Sequence, residues 1–104
     1  MSIRHIVLFT ALPSAEPQEV TDLIERLSNL SALPQVQNCT TGRNFSGRSE
    51  FTIGFTCDFD NQEDLDAYIT HPTHQALVEH LPSVVETGWT VVDYHYLRGT
   101  THVE

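Results

Sequence analysis

The chain has 104 residues and a mass of 11.7 kDa, which suits one folded domain but leaves no room for separate cofactor and substrate domains. Fourteen acidic residues against five basic ones give a formal net charge of −9, and all five basic residues are arginines. This balance argues against a protein that binds the phosphate backbone of nucleic acid, and the lack of lysine excludes Schiff-base and P-loop lysine chemistry. We expect a single domain over residues 1–104 that binds no nucleic acid.

The cysteines and the N-terminal segment predict the cellular compartment. Cys39 and Cys57 form no CxxC motif and are too few for a disulfide scaffold, so a reducing cytoplasm is expected. The apolar run over residues 3–9 is too short for the core of a signal peptide or for a membrane span. We therefore expect a cytoplasmic protein that does not enter a membrane.

The first half of the chain predicts a strand, a helix and a second strand. Residues 3–10 are apolar on both alternating faces, which is typical of a strand covered on both sides. A proline-containing loop leads into a helix over residues 17–30, where apolar residues recur every three or four positions. Residues 36–42 predict a more polar strand, which suits the edge of a sheet.

The second half predicts a strand, two helices and a last strand. Residues 51–59 alternate between apolar and polar, so they form a strand with one buried face. A helix follows and ends at His71, because Pro72 disfavours helical geometry in the residue before it. A short helix over residues 73–81 and a strand over residues 88–96 complete the pattern.

The element order predicts both a fold and an assembly. A β-α-β-β-α-β order favours an α+β, ferredoxin-like protomer: a four-stranded antiparallel sheet with helices on one face. In that topology the first and third strands are central and the fourth lies beside the first. The opposite face then has no cover, although apolar side chains point to it: Ile6, Leu8, Val92, Tyr94 and Tyr96. Because such a patch is too large to leave in water, we predict a homodimer through the open faces.

The first candidate site lies at the junction between the two predicted helices on either side of Pro72. Tyr68 lies on the last turn of one helix, and His74 opens the next helix after the break at Pro72. Imidazole titrates near neutral pH, which suits proton abstraction. Two interpretations remain open for His74: it is a general base, or it fixes the bend between the helices. We assign His71 to the turn itself, where it caps helix carbonyls.

His5 and Asp93 form a second candidate pair. His5 lies among apolar residues of the first strand, and Asp93 shares the helix-facing side of the last strand beside it. A buried carboxylate needs a partner, and His5 can provide one. Such a pair either orients the imidazole for proton transfer or is a hydrogen-bonded part of the core.

The remaining histidines do not indicate a metal site. His71, His74 and His80 are interrupted by a proline, and no carboxylate or thiol completes the set at a usual spacing. His95 and His102 are expected in solvent. We therefore expect no metal and no cofactor.

Three segments together resemble the stress-responsive A/B barrel (Dabb) family. They are residues 4–9, 68–74 and 91–94, and the match in order and spacing runs from about Ile3 to Tyr96. The resemblance implies a ferredoxin-like protomer whose sheets join back to back in a dimeric α/β barrel. It also implies a mixed range of functions, because the family includes stress-induced proteins, cofactor-independent polyketide cyclases and hydroxynitrile lyases.

The resemblance also implies roles for individual residues. In the cyclase-like members, a helix-end tyrosine and the second histidine of a His-Pro-x-His string act on the substrate, and these positions match Tyr68 and His74. A strand-one histidine and a last-strand aspartate near the pocket match His5 and Asp93.

This sequence departs from the cyclase at two pocket positions. A pocket tyrosine of the cyclase is replaced here by Leu27, and a pocket histidine by Ile53. The resemblance therefore implies a more apolar cavity. The residues that we expect to line it are Leu27, Ile53, Phe55, Trp89 and Val91.

Three functional hypotheses follow. In the first, His74 removes a proton next to the carbonyl of a small apolar carbonyl or phenolic compound, and Tyr68 donates a hydrogen bond to the enolate oxygen. In the second, the protein is a non-catalytic dimeric stress-response or ligand-binding protein. In the third, it is a cofactor-free monooxygenase of the dimeric-barrel type.

Overall fold

The computed structural model describes residues 2–97, which form a four-stranded sheet with a helical layer on one face. The elements in chain order are β1 (Ser2–Phe9), α1 (Pro17–Ser28), a 3₁₀ turn (Asn29–Ala32), β2 (Gln37–Arg43), β3 (Ile53–Phe59), α2 (Gln62–Ile69), α3 (Pro72–His80), a second 3₁₀ turn (Leu81–Ser83) and β4 (Thr90–Tyr96). The sheet order is β2-β3-β1-β4, and every neighbouring pair is antiparallel. The predicted α+β, ferredoxin-like fold is therefore confirmed.

The helices begin where the sequence supplies caps. At the start of α1, the Glu19 side chain accepts a hydrogen bond from the backbone N–H of Glu16 at 2.8 Å, and Pro17 occupies the first turn. Asn61 caps α2, where its side chain accepts a bond from the N–H of Asp64 at 2.9 Å. The α1 helix ends at Ser28, earlier than predicted, because the chain tightens there into a 3₁₀ turn.

The core lies between the sheet and the helices. Alternate residues of β1 and β3 point into it, among them Ile3, Phe9 and Phe55. No element of the described chain, residues 2–97, covers the opposite face of the sheet, and Val92 and Tyr94 there are 45% and 41% exposed. Each helix within residues 2–97 is too short or too polar to traverse a bilayer.

Candidate functional site

His71, the residue before Pro72, stabilises the junction between α2 and α3. The Nδ1 atom of His71 accepts a hydrogen bond from the backbone N–H of Thr73 at 3.1 Å, so His71 is the N-cap of α3. The prediction that His71 caps helix carbonyls is confirmed for its backbone, because the His71 N–H donates a hydrogen bond to the carbonyl of Tyr68 in the last turn of α2 at 3.1 Å. Pro72 has no N–H, so the amide of Thr73 is the first free donor of the new helix, and the imidazole accepts from it.

His74 lies in the first turn of α3 and reaches back to the end of α2. Its Nδ1 atom is 3.0 Å from the carbonyl oxygen of Ile69. A carbonyl only accepts, so Nδ1 carries the proton in this bond and Nε2 keeps a lone pair in the neutral ring. Burial lowers the pKa of His74, an effect that the Ile69 carbonyl partly opposes and the nearby His5 reinforces. The ring is therefore neutral at neutral pH, and its Nε2 atom has no hydrogen-bond partner among residues 2–97.

Tyr68 packs against both candidate histidines from the last turn of α2. Its ring centroid is 4.4 Å from that of His74 and 5.8 Å from that of His5. Burial of the side chain, with a further contribution from the Cys57 thiol, raises the pKa of Tyr68. The phenol consequently stays protonated over the physiological range and is able to donate a hydrogen bond.

His5 and Asp93 are direct partners in the β1–β4 ladder. The Nδ1 atom of His5 forms a hydrogen bond with Oδ1 of Asp93, which leaves Nε2 of His5 as its second polar atom. His5 is buried, but the Asp93 side chain is 39% exposed rather than buried as expected. Asp93 is exposed because β4 is an edge strand that the helices do not cover on this side, as the exposure of Val91 also shows.

One pocket, with a volume of about 250 Å³, is lined by all four polar side chains described above: Tyr68, His74, His5 and Asp93. Four of the five residues predicted for the cavity wall also line it: Leu27, Phe55, Trp89 and Val91. Its volume lies just below the range of about 300–1,000 Å³ that is usual for drug-sized ligands. A pocket of this size with apolar walls suits a small apolar molecule.

The structure differs from the predicted lining at one position and adds others. Ile53 does not line the pocket, because it begins β3 beside Phe9 and Arg43, where its side chain is completely buried. Phe9 and Leu81 do line it, although the sequence indicated them only as apolar core positions. The segments that follow these two residues are joined by a hydrogen bond from the N–H of Leu12 to the carbonyl of Val84 at 2.8 Å, and no sequence pattern contains that information.

The other histidines lie apart from this site. His80 and His95 are exposed, and His102 lies outside the described residues. Within residues 2–97, no group of three or more histidine, cysteine, aspartate or glutamate side chains is arranged to hold a metal ion.

Comparison with known proteins identifies the family. Residues 3–96 match the model of the Stress responsive A/B Barrel Domain, abbreviated Dabb. The chain belongs to this family. The resemblance inferred from three short segments is thereby confirmed.

Individual relatives of this Dabb protein support the same assignment. It is 33% identical over 79 residues to a stress-response A/B barrel domain-containing protein of Arabidopsis thaliana, an alignment that covers 74% of this chain and 30% of the plant protein. The chain thus matches less than a third of that relative's length. A dimeric ferredoxin-like protein from Thermobifida fusca is 26% identical, with a TM-score of 0.81 and 92% of each chain covered.

A third relative shares only the fold. The hydroxynitrile lyase of Passiflora edulis superposes with a TM-score of 0.83 over 95% of this chain and 96% of its own. Its sequence identity is 17%, so this similarity concerns the architecture alone.

Proposed function

We propose that this Dabb protein is a homodimer, and that each protomer binds a small apolar carbonyl or phenolic compound and transfers a proton on it without a cofactor. The observation that carries the proposal is the pairing of Tyr68 with His74, whose ring centroids are 4.4 Å apart on the wall of one pocket. One ring is a protonated phenol and the other a neutral imidazole with a free nitrogen. These are the two states that enolate chemistry requires.

The proposed step begins at Nε2 of His74. This nitrogen takes a proton from the carbon next to the substrate carbonyl, and the C–H electron pair forms a carbon–carbon double bond. The carbonyl π electrons move to the oxygen, and Tyr68 donates a hydrogen bond to that developing enolate. His74, now protonated, returns the proton to a carbon or to a leaving group. His5, oriented by Asp93, positions the substrate or relays the proton.

A non-catalytic binding role is the second candidate. The observation that favours it is the bond from His74 to the Ile69 carbonyl, because this bond joins two helices whether or not a substrate is present. In that case Tyr68, His74, His5 and Asp93 form a structural hydrogen-bonding cluster around a bound apolar metabolite.

Proton exchange at carbon distinguishes the two candidates without knowledge of the natural substrate. Phenylacetone is incubated with the protein in D₂O, and deuterium incorporation next to the carbonyl is followed by NMR. We expect the wild type to accelerate exchange over buffer, and His74→Gln and Tyr68→Phe to lose most of that acceleration, since a general base contributes roughly 10²–10⁴-fold.

The matched control is His80→Gln, which changes an exposed histidine of the same helix outside the pocket. It should exchange like the wild type. If the wild type leaves the exchange rate at the buffer level while phenylacetone still raises its melting temperature, the catalytic proposal fails and the binding role stands.

A further inference from the structure

The open face of the sheet carries a second hollow, distinct from the pocket under the helices. It has a volume of about 420 Å³ and lies where Gly42 of β2 faces Gly54 of β3. Leu8 of β1, the ladder partner of Gly54, and Phe51 from the loop before β3 supply apolar walls. The hollow therefore exists because two facing strand positions carry no side chain.

In the part of the protomer that the structure describes, nothing requires glycine at either position. The glycines with positive φ in the described chain are Gly47 and Gly88, so the backbone at Gly42 and Gly54 accepts other residues. Of the described atoms, none lies within 4 Å of a Cβ atom built at Gly42, and one built at Gly54 meets a Leu8 methyl group at 3.8 Å, an ordinary contact. Glycine weakens a strand interior and often marks a place where another molecule approaches closely.

A side chain that fits such a hollow projects from its rim. Phe45, in the loop after β2, lines the hollow and is 97% exposed. A two-fold interface joins one surface patch to the same patch of a second copy. A projecting ring next to a hollow suits a two-fold interface, because each copy supplies both a ring and a hollow to the contact.

Charge also favours a second copy at this place. Two chains that each carry a net charge of −9 repel each other, so they associate most easily where acidic residues are absent. Among residues 2–97, no aspartate or glutamate lines the hollow. The same open face continues to the exposed side chains of Val92 and Tyr94.

We propose that Phe45 of each protomer seats in the hollow over Gly42 and Gly54 of a second copy of this chain. The contact sets the alignment of the two protomers across their open faces. This inference rests on the homodimer proposed above and names the contact that specifies it.

Sedimentation equilibrium of purified variants tests the contact. Phe45→Ala removes the ring, and Gly42→Val fills the recess with a side chain that the protomer itself accommodates. We expect each change to raise the dimer dissociation constant about tenfold or more, as aromatic interface anchors do. The two effects should not add in the double variant, because both changes remove the same contact. Circular dichroism checks that every variant is folded. If Gly42→Val does not fold, the smaller substitution Gly42→Ala replaces it in the experiment.

Ala76→Val, an added apolar side chain on the exposed surface of α3, is the matched control and should leave the dissociation constant unchanged. If both test variants dimerise like the wild type, the hollow has another occupant, such as a small molecule, and the inference is overturned while the homodimer stands. Fully additive effects also overturn it, since Phe45 and Gly42 then act at separate contacts. A wild type that is monomeric at every concentration overturns the homodimer and this inference together.

Discussion

The hydrogen-bond partners of individual rings decide what each site residue is able to do. The Ile69 carbonyl holds the proton of His74 on Nδ1, and Asp93 engages the same atom of His5. In both rings Nε2 is the atom left for chemistry. The sequence identified both histidines as candidates and predicted Asp93 as the partner of His5. It did not indicate that the carbonyl of Ile69 holds His74.

Acidification should destabilise the folded protein through His74. Burial lowers the pKa of this residue, so the unfolded chain binds a proton as the pH falls through the ordinary value of about 6.5, and the folded protein does not. We expect the melting temperature to fall as the pH is lowered from about 7.5 to about 5.5, and to fall less in His74→Gln.

Differential scanning calorimetry across this range measures the effect. His80→Gln, which changes an exposed ring on the same helix, should follow the wild type. An equal pH dependence in His74→Gln and the wild type would contradict the prediction.

At the scale of elements, one carboxylate on the open face connects all four strands. Asp58 of β3 is only 2% exposed and accepts hydrogen bonds from Arg4 of β1 at 2.9 and 3.0 Å, Asn38 of β2 at 3.0 Å and Tyr96 of β4 at 2.9 Å. The guanidinium of Arg4 also lies 4.5 Å from the centre of the Tyr96 ring. Asn38 reaches Asp58 from an irregular part of β2, where its φ is +48°.

Replacement of Asp58 should weaken the sheet. Arg4 donates to the carboxylate and, with Asn38 and Tyr96, holds the pKa of Asp58 at about 2 despite its burial, compared with an ordinary 3.8. The ionised form is therefore favoured by folding, and we expect Asp58→Asn to lower the free energy of unfolding by about 2 kcal/mol at neutral pH. Because the folded pKa is depressed, this difference should shrink as the pH falls from about 4 to about 2.

Urea denaturation at several pH values measures the free energy of unfolding of both proteins. Asp60→Asn, at an exposed position just after β3, is the control and should stay close to the wild type. A difference between Asp58→Asn and the wild type that does not change with pH would show that the ionised carboxylate is not its cause.

At the scale of the whole molecule, no element within residues 2–97 covers the open face of the sheet. Val92 and Tyr94 lie there on β4, next to Ile6 and Arg4 of β1. We expect Val92→Asp to dissociate the proposed homodimer, because it would place a carboxylate in an apolar contact between two chains that already carry a net negative charge.

Light scattering coupled to gel filtration measures the mass against the 11.7 kDa of one chain. We expect the wild type at twice this mass and Val92→Asp at the monomer mass. Ser31→Asp adds the same charge on the helical side of the protomer and should remain dimeric. A dimeric Val92→Asp would show that the protomers associate at another surface. A monomeric wild type would exclude the homodimer.

The local order of residues was enough to predict the element order, the strand topology, the helix break at Pro72 and the family. Alternation and helical spacing report which side of an element is apolar, and caps and prolines report where it ends, so these features depend on neighbours in sequence. Tertiary structure alone decided that Ile53 leaves the pocket lining, that Asp93 is exposed, that Asp58 joins four strands, and that Gly42 faces Gly54 over a hollow. Each of these depends on strand register and on distant side chains that meet in space, and a single sequence does not record those distances.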